Sequence, residues 1–303
     1  MANSRRTATP EDVAEVEAKR QKCREQFTIE SVANSMTKFY NLMITMGFWP
    51  LSSIHLPPNP IDTALAQSLG YSAPVIKVIQ SLPYPTENVI YDQTLRIFEL
   101  TRTLDLTDRE DLQWSRHPER DLDDPPIDEH LITLMVPSGP EGSIVLLDCD
   151  IGAIYHYRMD GPRCDTLEYR VGRRVYNVPE DEDWELYSPG PFKYRFAPFV
   201  PAIQWFDGLY QKYLTLRRLP FLDPRYDGDR DMNLAEVGPE GDPLRERIKH
   251  KQDVLVELYA KHGWPDFEAW DRDGFLADWE MVKTRLRRED KEQMDSEWEK
   301  ENQ

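Results

Sequence analysis

The chain has 303 residues, 40% hydrophobic and 11% aromatic, which excludes a disordered polymer and suffices for one large core or two modest ones. With 55 acidic against 37 basic residues the formal net charge is -18, so a nucleic-acid partner is not expected. No run approaches the roughly 20 apolar residues of a bilayer span, so no membrane partner is expected either.

Cys23, Cys149 and Cys164 show neither metal spacing nor a paired framework, and Met1 to Pro10 lacks an apolar signal core. A cytoplasmic or nuclear protein is the expectation. Thr9, Pro10 and Asp12 read as a helix start: a hydroxyl cap, proline at the first helical position, and early acids that suit the dipole. The pattern predicts one helix from Pro10 to about Ile44. Its first half, Glu11 to Glu25, is almost wholly polar, with Val13 and Val16 the main apolar points, and reads as a solvated face or a docking arm. Its second half, with Phe27, Val32, Met36, Phe39, Tyr40 and Met43, has core character.

Phe48 to Pro60 is a proline-punctuated loop, and Asn59-Pro60 starts a short helix stopping at Gly70. Ser72-Ala73-Pro74 starts another, broken at Leu82-Pro83-Tyr84-Pro85. A strand is expected at Leu95 to Leu100, and an irregular, mobile segment from Thr101 to Asp128. His130 to Val136 is a strand candidate. Ser143 to Leu147 is an apolar run that reads as a strand buried on both faces, followed by the turn formers Asp148 to Gly152 and a second strand, Ala153 to Tyr157. That hairpin carries two carboxylates at its tip. Val171 to Val178 suggests a further edge strand. Phe196 to Leu219 reads as an amphipathic helix with Phe196, Phe199, Ile203, Phe206, Tyr210 and Tyr213 at three- and four-residue steps. After a loop through Asp223 to Gly241, Asp242-Pro243 caps a helix ended by Lys261-His262-Gly263, Trp264-Pro265 turns the chain, and a last charged helix follows.

Two sets of residues carry possible chemistry. Asp148-Cys149-Asp150 after a buried strand has the layout of the metal-dependent nucleophile loop of haloacid-dehalogenase-type phosphatases, with His156 a further candidate ligand. Against it, Ile151-Gly152 leads into another strand instead of a helix, and the plain alternative is a turn whose Asp side chains bond their own backbone. Cys149 reads as a small core filler rather than a nucleophile. The histidines show no metal-binding spacing, and no P-loop, GxSxG or GxGxxG motif is present. The second set is Trp49, Trp114, Trp264, Trp270 and Trp298, which fall in loops or sparsely apolar segments. They read as exposed aromatics of a partner-binding surface, or alternatively as pins holding each loop to the core.

Three stretches carry a family likeness: "SLGYSAPVIKVIQSLPY" (Ser68 to Tyr84), "SIVLLDCDIGAIYHY" (Ser143 to Tyr157) and "FAPFVPAIQWFDGLYQKYL" (Phe196 to Leu214). In this order they resemble the SUKH superfamily of fungal cell-wall regulators and bacterial toxin-immunity proteins, and "PPNPIDTALAQSLGY" with "GWPDF" is similar to fungal proteins of that group. The family's glycine-rich acidic turn after the first Leu-Pro is replaced here by Pro85 to Asn88. The resemblance implies an α+β fold with a small antiparallel or mixed sheet and packed helices, without a catalytic centre. The expected organisation is an N-terminal helix (1–47), a SUKH-like α+β domain (48–220) and a helical C-terminal extension (221–303). The expected function is a non-enzymatic interaction module with a protein partner and no cofactor; an immunity protein shares that physics. The alternative is a metal-dependent phosphatase or related hydrolase using Asp148 and Asp150, with Asp148, Asp150 and His156 as the metal set.

Overall fold

The structure, a computed structural model, describes residues 8–90, 95–98, 100–118, 125–139, 142–158, 194, 197–220 and 241–301. The chain is of the α+β class and divides into two compact units. One comprises Met1–Asn41 and Leu51–Tyr210, the other Leu42–Pro50 and Gln211–Gln303. The division passes through two helices, Ile29–Thr45 and Ala202–Leu214.

The first unit is built on a five-stranded antiparallel sheet in chain order: β3 (Thr101–Thr103), β4 (Leu131–Pro137), β5 (Ser143–Asp148), β6 (Ala153–Arg158) and β7 (Phe199–Pro201). Ile54–His55 (β1) and Tyr84–Pro85 (β2) form a separate two-stranded ladder. The hairpin forms where the apolar run and the turn formers after it predict it. Ser143 pairs with Arg158 and Asp148 with Ala153, and all six residues of β5 are buried because both neighbours and both faces cover it.

The N-terminal pattern resolves into two helices. Pro10–Gln26 starts on a reciprocal capping box: Thr9 Oγ1 accepts from the Asp12 amide at 3.2 Å, and Asp12 Oδ2 from the Thr9 amide at 2.7 Å. It ends at Phe27, which is extended (φ -81°, ψ 121°). A second exchange, between Thr28 and Ser31, restarts the chain as Ile29–Thr45. The single helix expected over Pro10 to Ile44 is therefore broken, because Thr28 and Ser31 offer the backbone a local cap in mid-pattern.

Thr63–Ser68 starts on the cap Asp62 rather than at Asn59-Pro60 and stops ahead of Gly70, left-handed at φ +86°, and Ala73–Ser81, with Pro74 in its first turn, follows as expected. The strand expected at Leu95 to Leu100 lies instead at Thr101–Thr103, fixed by pairing with Met135 to Pro137. The described part of Thr101 to Asp128 is also more ordered than its polarity suggests. It holds β3 and the helix Arg109–Trp114, tied by Arg102 and Asp111, whose Nη2–Oδ1 and Nη1–Oδ2 distances are 2.7 and 3.0 Å. Asp121, Asp123 and Asp124 lie outside the described residues, as do Val171 to Val178 and Cys164.

The aromatic helix begins at Ala202 rather than Phe196. Phe199 belongs to β7, opposite Tyr155, and the Ala202 amide donates to Gly152 O at 2.8 Å, so sheet pairing claims the first part of the stripe. Phe206 packs on Phe39, with ring centroids 6.3 Å apart.

In the second unit Asp242 caps Pro243–Lys261, and the chain turns through Trp264-Pro265 into Arg272–Glu301. These two helices pair through Lys251–Asp290 at 2.6 Å, Lys261–Asp278 at 2.5 Å and His262–Asp278 at 3.0 Å.

Candidate functional site

The hairpin tip places its two carboxylates in opposite environments. Asp148 ends β5 with a side chain only 7% exposed, whereas the Asp150 side chain is 71% exposed. Asp148 Oδ1 accepts from the backbone amides of Asp150 (2.9 Å) and Ile151 (3.2 Å), an Asx turn that closes the hairpin on itself. Gly152 completes the turn in the left-handed region, at φ +65°. Burial pushes the Asp148 carboxyl above the ordinary carboxylate range, opposed by the charge of His130 and by the two amides. Thus Asp148 is engaged by the architecture before any ligand arrives.

The histidine beside these acids is His130, not His156. The pairing of Leu131 with Asp148, and the Cys149 amide donating to His130 O at 2.9 Å, bring His130 across the tip. Its Nε2 lies 3.8 Å from Asp148 Oδ2 and its Nδ1 3.9 Å from Asp150 Oδ2. His156 pairs with Val145, one step out of phase with Asp148, so its side chain lies on the other face of the sheet. There its ring packs on Phe98 (4.7 Å) and Trp205 (5.8 Å). The ligand set Asp148, Asp150 and His156 is therefore not assembled. Among the described residues no group of three or more His, Cys, Asp or Glu side chains is placed to hold a metal ion. The sequence signal that could have found His130 is the ladder register: extending the pairing of 131–136 with 143–148 by one residue lands on it.

Cys149 is half-buried, and burial together with the negative charge of Asp148 and Asp150 holds its thiol well above the ordinary range. Such a thiol is a poor nucleophile. Tyr155, whose hydroxyl points to Asp148 Oδ2 at 3.5 Å, is likewise held high by burial. Burial also raises the Cys23 thiol, on the helix Pro10–Gln26. β5 runs antiparallel to both neighbours, and the chain after the tip enters β6 directly, so no crossover helix offers its N-terminus to a phosphoryl group at Asp148.

The five tryptophans do not form one exposed surface. Trp49 and Trp264 are buried in the second unit. The Trp264 indole donates to Leu214 O at 2.9 Å and the Trp270 indole to Thr45 O at 2.7 Å. Trp270 stacks on Tyr259 (5.4 Å, 18°) and meets Trp264 edge-on at 5.2 Å. Arg272 Nη2 donates to Trp49 O at 3.4 Å. The Trp264 and Trp270 indoles pin their loops inside their unit, as indoles do when a carbonyl is in reach, while Trp49 is buried and its own carbonyl accepts from Arg272. In the first unit, half-buried Trp114 donates to Glu110 one turn back, at 3.3 Å. Trp298 alone of the five is strongly exposed, at 67%, on the last helix, which also exposes Met281 at 66%.

No protein-family model, curated protein or solved structure matched the chain. No helix among the described residues is long and apolar enough to cross a membrane.

Proposed function

We propose that the chain is a non-enzymatic protein-interaction module of SUKH-like layout, acting in the cytoplasm or nucleus. The observation that carries this reading is the commitment of Asp148 to its own turn, buried and bonded to the Asp150 and Ile151 amides. A metal-dependent nucleophile needs that carboxylate free to reach a cation and a phosphorus atom. The layout supports the resemblance too. The three stretches that carry it contain the helix Ala73–Ser81 with its Leu-Pro break, the central hairpin, and the closing helix Ala202–Leu214. Exposed Met281 and Trp298 on a highly charged helix supply the aromatic and sulfur surface that partner contacts favour.

The test is cross-linked affinity purification from the native cell, comparing the full chain with Trp298→Ala and with a chain ending at about Arg287. The expected result is a defined partner that both changes weaken. In parallel, the full chain is assayed on phosphate esters with magnesium. Turnover that Asp148→Asn abolishes while the fold is kept would overturn the interaction reading in favour of the hydrolase.

A further inference from the structure

We infer that the helix Pro10–Gln26 is a releasable strap over an aromatic face of the sheet, hinged at Phe27-Thr28. The face is laid out by the register: Leu146 beside Tyr155, Ile144 beside Tyr157, and Phe199 beside Tyr155 put five apolar side chains on one side of β5, β6 and β7. All five are buried, in one cluster with Val16 and Cys23 of the strap.

The strap is held lightly for what it covers. Of its 17 residues only Asp12, Val16 and Cys23 are buried, with Val13 partly buried against the same cluster, and Asp12 takes part in the capping box with Thr9. Arg24 and Arg20 pair with Glu17 of the same helix, at 2.9 and 4.0 Å, so those ion pairs do not tie it to the sheet. Lys19 and Arg20 lie over the Phe199 ring, at 4.6 and 5.9 Å, and these cation–π contacts count among the strap's ties to the sheet. The following helix, by contrast, sinks Val32, Met36, Phe39 and Tyr40 into the first unit. It also has its own start in the Thr28–Ser31 exchange, so the strap can leave without unwinding it. A segment with few buried apolar groups and an independent boundary is one that opens below the global unfolding free energy. The inference goes beyond the interaction reading and stands without it.

Cys23 reports the opening, because it is fully buried under the closed strap. In the full chain carrying Cys149→Ser and Cys164→Ser, the rate of Cys23 labelling by a thiol reagent is followed at urea concentrations below the unfolding transition. The expected result is a rate nearly flat in urea, and faster still in Val16→Asp by about tenfold or more. Hydrogen exchange on the unsubstituted chain is the second readout and needs no cysteine replacement. The amides of residues 10–26 are expected to exchange roughly 100-fold faster than those of β4 to β6. Labelling that climbs steeply with urea, or strap amides that exchange in step with the strands, would show that the helix leaves only when the whole unit unfolds, and would overturn the inference.

Discussion

Gly152 sits directly against Phe27: at its left-handed φ of +65°, a Cβ built on it would overlap the Phe27 side chain. The turn that closes the central hairpin and the residue that ends the N-terminal helix are thus fitted to each other. Gly152→Ala meets both a backbone penalty and a steric one, and is expected to cost about 2–4 kcal/mol. Urea denaturation of the full chain measures it, and a loss below about 0.5 kcal/mol would mean that Phe27 moves aside freely.

Asp148 is a buried carboxyl whose folded-state pKa is raised, first by desolvation. The folded state therefore holds the proton more tightly than the unfolded chain. The cost is present above the folded pKa and absent below the unfolded value of about 4. Asp148→Asn keeps the acceptor for the Asp150 and Ile151 amides and removes the charge. It is expected to be at least as stable as the parent at pH 7, with its advantage shrinking as the pH falls towards 4. Urea midpoints for both proteins between pH 3 and pH 8 decide the matter. A variant clearly weaker at pH 7 would show that the contact with His130 outweighs the desolvation.

Asp278 shifts the other way: Lys261 first, and then His262, hold its carboxyl below the ordinary range. A lowered folded-state pKa contributes stability that is present above the unfolded value and lost as pH falls through the folded one. Acid titration of the full chain should loosen the paired helices of the second unit below about pH 4, and Asp278→Asn should flatten that part of the profile. Hydrogen exchange over residues 243–301 as a function of pH is the measurement.

The tryptophans separate by what their rings and indole N–H groups meet. Trp264→Ala removes a buried ring and leaves Leu214 O without its donor, and is expected to cost about 3–5 kcal/mol in the second unit. Trp298→Ala, on an exposed helix position, should stay within about 0.5 kcal/mol. Thermal or urea unfolding of the two variants checks this, and equal losses would place Trp298 in a packed environment.

The sequence by itself determined the elements whose signals are local. The hydroxyl cap at Thr9 ahead of Pro10, the proline starts at Pro74 and Pro243, and the hairpin from Ser143 to Tyr157 were all legible, because caps and turns are satisfied within three or four residues. The turn reading of Asp148 was legible for the same reason. What required the tertiary structure was every choice between distant partners. Met135 to Pro137 set strand β3 at Thr101–Thr103, and Tyr155 drew Phe199 out of the expected helix into β7. Register placed His130 rather than His156 beside Asp148, since a one-residue step in a strand moves a side chain to the opposite face. Trp264 and Trp270 find their carbonyl partners at Leu214 and Thr45, 50 and 225 residues away in the chain, where no periodicity can point.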